Sequence, residues 1–261
     1  MAAITAGRVT LAIQMAWLKP KNWYAAWRVR SAMQGYPVYA PPNPQNEIEL
    51  PANKAKENFD YFLQQRSTRL QHFRDFMKKF GVDAETTADG LNAVSDWFER
   101  YAGLLLHFQP RDTSNLRAFM NYHPPWSGEH VGINVVWDLG TYIGECVIAR
   151  RPRVHWDLNT GNPDPVSLEA LGFQRPCLSG PGWPPDSDPI TQVFMDSQFR
   201  SREMRFGYQR GVRFGNLMDY VANRSRGAPP NPTLAKDGNS GSFTTPTPGR
   251  MARRGQSKPH R

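Results

Sequence analysis

An apolar helix followed at once by a strand constrains the fold of this chain more than any other feature. Apolar side chains recur at helical spacing over 133–149, and Pro152 then ends the helix because its ring cannot continue the backbone hydrogen bonds. Residues 153–158 alternate as in a strand. Gly140 and Gly144 stand about one turn apart and predict close packing on that side of the helix. A buried helix beside a short strand is typical of an α+β protein.

The flanking sequence predicts further helices and a second strand. Apolar residues recur at three- and four-residue steps over 52–108, which predicts two helices packed as an antiparallel pair. Residues 173–178 predict the second strand. Asp188 and Pro189 are typical of an N-cap and a first helical position, and they begin a helix that we expect to reach Phe206. The predicted fold class is α+β, a helical body with a small β-sheet in one main domain with flexible termini.

Charge and composition divide the chain into three regions. Residues 1–51 form a basic, tryptophan-rich extension with a proline-rich linker, residues 52–224 form the predicted α+β globular domain, and residues 225–261 form a basic tail. The tail has few large apolar side chains to offset its ordering entropy, so we expect it to be disordered. The formal net charge is +9, but residues 51–225 hold twenty basic and twenty acidic residues. The positive charge is therefore terminal, which argues against a basic groove on the folded body.

The sequence carries few features of an exported or membrane protein. Cys146 and Cys177 are its two cysteines and form no C-x-x-C pair, so we expect reduced thiols, with a single bridge left open. The apolar run at 10–18 is short for a signal peptide and is interrupted by Gln14. No stretch approaches the length that crosses a bilayer. The sequence therefore predicts a cytoplasmic protein without a membrane span.

One polar face of the helix over 133–149 offers a candidate binding surface. Exposed aromatic residues beside polar groups are effective anchors at protein interfaces. The residues that we predict to bind a partner are Trp126, Asp138, Tyr142, Glu145 and Trp156. The competing interpretation is structural: Glu145 accepts hydrogen bonds from a backbone group or an arginine, while Asp138 faces solvent.

No motif for catalysis, metal binding or phosphate binding stands out in the sequence. The loop histidines His123 and His130 match no zinc-ligand spacing, and no glycine-rich phosphate loop occurs. We therefore predict no catalytic residue, no metal and no cofactor, and we favour a function without catalysis. One enzymatic alternative stays open, a hydrolase that would bring Asp138, Glu145 and His155 into one pocket.

An arginine-rich segment supports a different alternative, a nucleic-acid-associated protein. Arginines alternate there with aromatic residues, and this combination binds nucleic acid by phosphate contact and stacking. The arginines are Arg200, Arg202, Arg205, Arg210 and Arg213. The competing interpretation is an amphipathic helix whose arginines pair with acids of the neutral body. The tryptophan-rich start could also lie on an anionic membrane surface, although we favour its packing onto the core or onto a partner.

A seven-residue run at 139–145 reads Leu-Gly-Thr-Tyr-Ile-Gly-Glu, and Trp156 lies on the strand that follows. With the preceding helix that contains Trp97 and Phe98, this run resembles uncharacterised bacterial families in which an L-G-x-Y-x-G-E helix precedes a Trp-bearing strand. The resemblance covers about a quarter of the chain. It implies a small cytoplasmic α+β domain without established catalysis, and some of these proteins resemble toxin-immunity proteins. The function that we predict is therefore binding of another protein, with an immunity-type role as one form of it.

Overall fold

A computed structural model describes most of the chain up to Phe206. The described residues are 18–46, 48–107, 114–122, 124–161, 172–183 and 187–206. They all belong to one compact unit that spans 1–227. The predicted tail at 225–261 lies outside the described residues, and so do His123, Arg210 and Arg213.

Within the described part, six α-helices pack together with a two-stranded sheet. The helices are α1 (Trp23–Met33), α2 (Ala52–Lys78), α3 (Ala88–Tyr101), α4 (Ser114–Met120), α5 (Val131–Arg150) and α6 (Pro189–Phe206), and the strands are β1 (His155–Leu158) and β2 (Pro176–Ser179). Short 3-10 turns precede α1 at Pro20–Asn22, follow α3 at Ala102–Leu104 and precede α5 at Gly128–His130. This arrangement confirms the predicted α+β fold class.

The central element is α5, which other elements cover on nearly every side. Most of its residues are buried, and α2 and α6 are its main neighbours. A Cβ atom at Gly140 would lie 2.4 Å from the Cα atom of Ile190 in α6, so only glycine lets the two helices approach this closely. A Cβ atom at Gly144 would lie 2.1 Å from the ring of Trp156 on β1. The close packing predicted at these two glycines is confirmed.

The sheet pairs β1 with β2 in antiparallel register, with Trp156 opposite Leu178. The second strand begins at Pro176, later than the predicted start at 173. The reason is a turn in which the amide of Arg175 donates to the carbonyl of Gly172 at 3.1 Å and Gln174 adopts a φ of 57°. This left-handed conformation prevents a strand from including Gln174.

The two predicted helices at 52–108 both form, but they are not each other's main neighbour. Their contact includes Trp97 of α3, whose ring centroid lies 5.7 Å from that of Phe76 in α2. Along the rest of its length α2 packs chiefly on α5. The predicted packing of α2 on α3 is therefore confirmed at these rings, while most of the apolar face of α2 is covered by α5.

The last described helix begins as the sequence predicts. The carboxylate of Asp188 accepts hydrogen bonds from the backbone amides of Ile190 at 2.8 Å and Thr191 at 3.0 Å. These bonds satisfy two amides that the first turn of a helix leaves without partners. The side chain of Phe194 then stacks on Phe119 of α4, with ring centroids 3.9 Å apart. Asp188 is therefore an N-cap that directs α6 across the core.

The segment Gly128–Arg150 has 23 residues and contains an 18-residue stretch with a mean hydropathy of 1.2, so it could cross a membrane by length and composition. The prediction that no stretch approaches such a length is therefore wrong. However, 83% of this stretch is buried inside the protein, as in the core helix of a soluble protein. This helix is accordingly weak evidence for a membrane span.

Replacing Gly144 with alanine tests the packing of α5 against β1. The added methyl group would overlap the ring of Trp156, whose Nε1 is held by Glu145 at 2.7 Å. We expect G144A to lower the free energy of unfolding in urea by about 1–3 kcal/mol. Helix propensity alone would raise it by about 1 kcal/mol. An increase in stability would therefore contradict the observed packing.

Candidate functional site

Asp138, one of the predicted binding residues, lies in the centre of the core. Its carboxylate accepts two hydrogen bonds from Arg69 of α2, from Nε at 2.8 Å and from Nη2 at 2.7 Å. The hydroxyl of Tyr36 donates a third at 2.5 Å. Arg69 also donates from Nη1 to the carbonyl of Pro37 at 2.8 Å. The expectation that Asp138 faces solvent is wrong, because it neutralises a buried arginine.

Burial dominates the electrostatics of this cluster. It raises the pKa of Asp138 to about 6, and the positive charge and hydrogen bonds of Arg69 oppose that rise. Burial also raises the pKa of the Tyr36 hydroxyl, and the charge of Asp138 adds to the effect. For Arg69, burial alone would lower the pKa, but the carboxylate of Asp138 outweighs it and the pKa is raised. At neutral pH the cluster is therefore a buried ion pair with a tyrosine donor.

Asn134, one turn before Asp138, continues this polar stripe on α5. Its Oδ1 accepts a hydrogen bond from the amide of Tyr39 at 2.8 Å, and its Nδ2 donates to the carbonyl of Trp126 at 2.6 Å. Trp126 itself is only 1% exposed and donates from Nε1 to the carbonyl of Ala118 at 3.0 Å. The prediction of an exposed aromatic anchor at Trp126 is therefore wrong.

Tyr142, Glu145 and Trp156 are also engaged inside the protein. The buried Tyr142 donates from its hydroxyl to the carbonyl of Glu85 at 2.7 Å. Glu145 accepts from Nε1 of Trp156 at 2.7 Å and pairs with Arg66 at 3.3 Å. The competing structural interpretation of Glu145 is thus the one observed. Together with Asp138 and Trp126 these residues serve the core, and Glu145 is the one of the five that is partly exposed.

The three residues of the hydrolase alternative have separate surroundings. Asp138 is buried against Arg69, Glu145 contacts Trp156, and His155 is exposed on β1. Across the described ranges, no group of three or more His, Cys, Asp or Glu side chains is placed to hold a metal ion. The structure does not bring the three predicted residues into one pocket.

The remaining reactive candidates are similarly occupied or buried. His130 lies 3.2 Å from Oδ1 of Asn115, measured from Nδ1. Cys146 and Cys177 are both buried and form no disulfide bridge with each other. Burial raises the pKa of the Cys146 thiol to about 11. This thiol is therefore protonated at neutral pH and suited to packing instead of nucleophilic chemistry.

Two of the predicted nucleic-acid-binding arginines make contacts within the protein. Arg200 forms a bidentate ion pair with the carboxylate of Glu99, in which Nη1 donates to Oε2 at 2.6 Å. Arg205 donates from Nη1 to the carbonyl of Gly103 at 2.9 Å and to the hydroxyl of Ser201 at 2.6 Å. Arg202 is exposed. Pairing of Arg200 with an acid of the body is what the competing interpretation of this segment predicted.

The outer face of α1 carries a cluster of exposed aromatic side chains, which we call the aromatic patch. It consists of Trp23, Tyr24 and Trp27, which are 45%, 69% and 53% exposed. The ring centroids of Tyr24 and Trp27 lie 5.8 Å apart. The signal in the sequence was helical spacing: positions 23, 24 and 27 fall opposite the buried Val29 on the helix. We expected these tryptophans to pack onto the core or onto a partner, and the predicted binding residues did not include them.

An open groove lies beside the start of α1. It has a volume of about 330 Å³ and a mixed, charged lining. The lining residues are Lys19, Asn22, Glu99, Arg200, Glu203 and Met204. Two of these residues are acidic and two are basic, so the groove has no strong preference for an anionic or a cationic ligand.

Comparisons with known proteins give no relative from which a function could be transferred. No family model, no curated protein and no solved structure matches this chain. The resemblance to bacterial immunity-type families stays a prediction.

Replacing Arg69 with methionine tests the buried ion pair. The change keeps the length of the side chain but leaves Asp138 buried without its counterion, so the folded protein must either bury a lone charge or protonate the carboxyl. We therefore expect the free energy of unfolding to fall by about 3–5 kcal/mol at neutral pH. In the double variant R69M/D138L no charge stays buried, and most of the loss should be recovered. The control R66M removes a partly exposed pair and should cost about 1 kcal/mol or less. Equal losses for R69M and R66M would contradict a special role for the buried pair.

The R69M variant should also respond to pH in a defined direction. Removing Arg69 takes away the positive charge that holds the pKa of Asp138 down to about 6, against an ordinary value of 3.8. The folded variant then retains a proton on Asp138 that the unfolded chain releases. Its free energy of unfolding should therefore rise as the pH falls from about 7 to about 5, relative to R69M/D138L. Denaturant titrations at several pH values measure this difference, and a difference independent of pH would refute the assignment.

Proposed function

We propose that this chain is a protein-binding domain whose interaction surface is the aromatic patch on α1. The supporting observation is the exposure of Trp23, Tyr24 and Trp27 side by side on one helix. Tryptophan and tyrosine are the residues that most often dominate binding energy at protein interfaces. Neighbouring exposed rings of this size mark an interaction site more often than isolated apolar residues do.

The patch is presented on a fixed helix. The inner face of α1 buries Ala26, Val29 and Met33 in the core. Arg28 donates from Nη2 to the carbonyl of Lys79 at 3.2 Å, and its guanidinium lies 4.9 Å from the ring centroid of Phe80. Because the helix is already ordered, little conformational entropy would be lost when a partner engages the rings.

This function requires no catalysis. The acids, histidine and thiols considered as reactive groups serve packing, ion pairs or solvent contact in the described part of the protein. A toxin-immunity role in the cytoplasm, as the sequence resemblance implies, would be one instance of protein binding. The aromatic patch supports the general function and leaves the partner to experiment.

Truncating two exposed rings tests the proposed surface. The double variant Y24A/W27A should keep its fold, with a change in the free energy of unfolding within about 0.5 kcal/mol per site, since both side chains are largely exposed. L63A is the control, because Leu63 is an exposed apolar residue on α2. In affinity capture by the full chain, partners should be lost with Y24A/W27A and retained with L63A. Retention of every partner by Y24A/W27A would contradict the proposal.

A further inference from the structure

A positive charge borders the aromatic patch. Arg30 lies three residues after Trp27 and seven after Trp23, so the three side chains follow one another along the same side of α1. Burial lowers the pKa of Arg30, and no carboxylate contributes to that shift. Among the residues that the structure describes, no acid forms an ion pair with Arg30. The arginine is therefore partly desolvated without a counterion in this part of the chain.

A second arginine, Arg205, is close enough to Arg30 for the two charges to interact. Burial and, to a smaller extent, the positive charge of Arg30 lower the pKa of Arg205 to about 10. The guanidinium of Arg205 is held in place by the carbonyl of Gly103 and the hydroxyl of Ser201.

We propose that the aromatic patch and Arg30 together bind an acidic segment of a partner protein. An apolar side chain of that segment packs against the rings of Tyr24 and Trp27, and a neighbouring carboxylate pairs with Arg30. A carboxylate suits the planar guanidinium because it can accept two parallel hydrogen bonds. This inference rests on the proposed function and gives the partner a chemical character.

Charge near the patch favours a peptide over a broader polyanion. Glu99 and Glu203 line the groove beside Lys19 and Asn22 at the start of α1, and the side chain of Glu99 is 49% exposed. A membrane surface or a nucleic-acid strand that covered the whole patch would meet these two acids as well as Lys19 and Arg200, so the groove would add no net attraction. A narrow segment can contact Arg30 and the rings without approaching the two glutamates.

Selection from a random peptide library displayed on phage, with the full chain as the target, tests this inference. We expect enrichment of peptides that place Asp or Glu beside Leu, Phe or Trp. Synthetic copies should bind R30E and Y24A/W27A about tenfold or more weakly than the unchanged chain, a loss of about 1.4 kcal/mol or more. The control R153E makes the same change in net charge at an exposed residue before β1, and binding should stay within about twofold.

The possible outcomes separate this inference from the proposed function. Peptides without acids that need Tyr24 and Trp27 but tolerate R30E would overturn the acidic partner and leave the protein-binding surface standing. Peptides that bind Y24A/W27A unchanged, or no enrichment at all, would overturn both. Binding of phosphatidylserine vesicles or single-stranded DNA that is lost in R30E, without any acidic peptide, would also overturn the inference. If circular dichroism shows that R30E does not fold, R30Q replaces it, because R30Q also removes the positive charge. The same loss of peptide binding is then expected of R30Q, and unchanged binding would overturn the inference.

Discussion

The structure depends on one buried ion pair, between Arg69 and Asp138. It joins three segments that are far apart in the sequence, because Arg69 lies on α2, Asp138 lies on α5 and the hydroxyl of Tyr36 donates to the same carboxylate. Burying two charges costs free energy that only near-complete hydrogen bonding offsets. The bond from Arg69 to the carbonyl of Pro37 adds to that balance and ties the pair to the backbone of the N-terminal region. The geometry of these hydrogen bonds therefore determines how α2, α5 and the segment around Tyr36 pack together.

The N-terminal region becomes part of the core through this cluster and its neighbours. Tyr39 stacks on Trp137 of α5 with ring centroids 4.8 Å apart, and its amide bonds Asn134. The prolines of this region prevent a helix, but its two tyrosines anchor it firmly. Helix α1 directly precedes these anchors, so its inner face stays against the core and its aromatic outer face stays in solvent. The candidate binding surface is thus a consequence of how the core is closed.

Local features of the sequence were sufficient to predict several elements. The span of α5, the N-cap at Asp188 and the close approaches at Gly140 and Gly144 all follow from spacing within a few residues. The fold class follows from the same patterns. The β2 boundary was predicted less well, because the left-handed conformation of Gln174 depends on its bond to the carbonyl of Asn159, a contact between residues distant in sequence.

The site was harder to predict than the fold, for a physical reason. A carboxylate such as Asp138 on an apolar helix is compatible with solvent exposure or with a buried partner, and its partner Arg69 is 69 residues away. Trp126 likewise carries no local sign of burial, since Ala118 and Asn134 reach it from separate elements. For α1 the spacing of Trp23, Tyr24 and Trp27 was visible, but which face met the core depended on Tyr36 and Tyr39.

The claim that the N-terminal region is integral to the core can be tested by native-state hydrogen exchange, read at the amide of Tyr39. Its hydrogen bond to Asn134 is part of the central cluster. We expect the Tyr39 amide to exchange with the same free energy of opening as the buried amides of α5, through global unfolding. Exchange of Tyr39 and of α1 at a much lower free energy, while α5 stays protected, would show that the region opens independently and would contradict the claim.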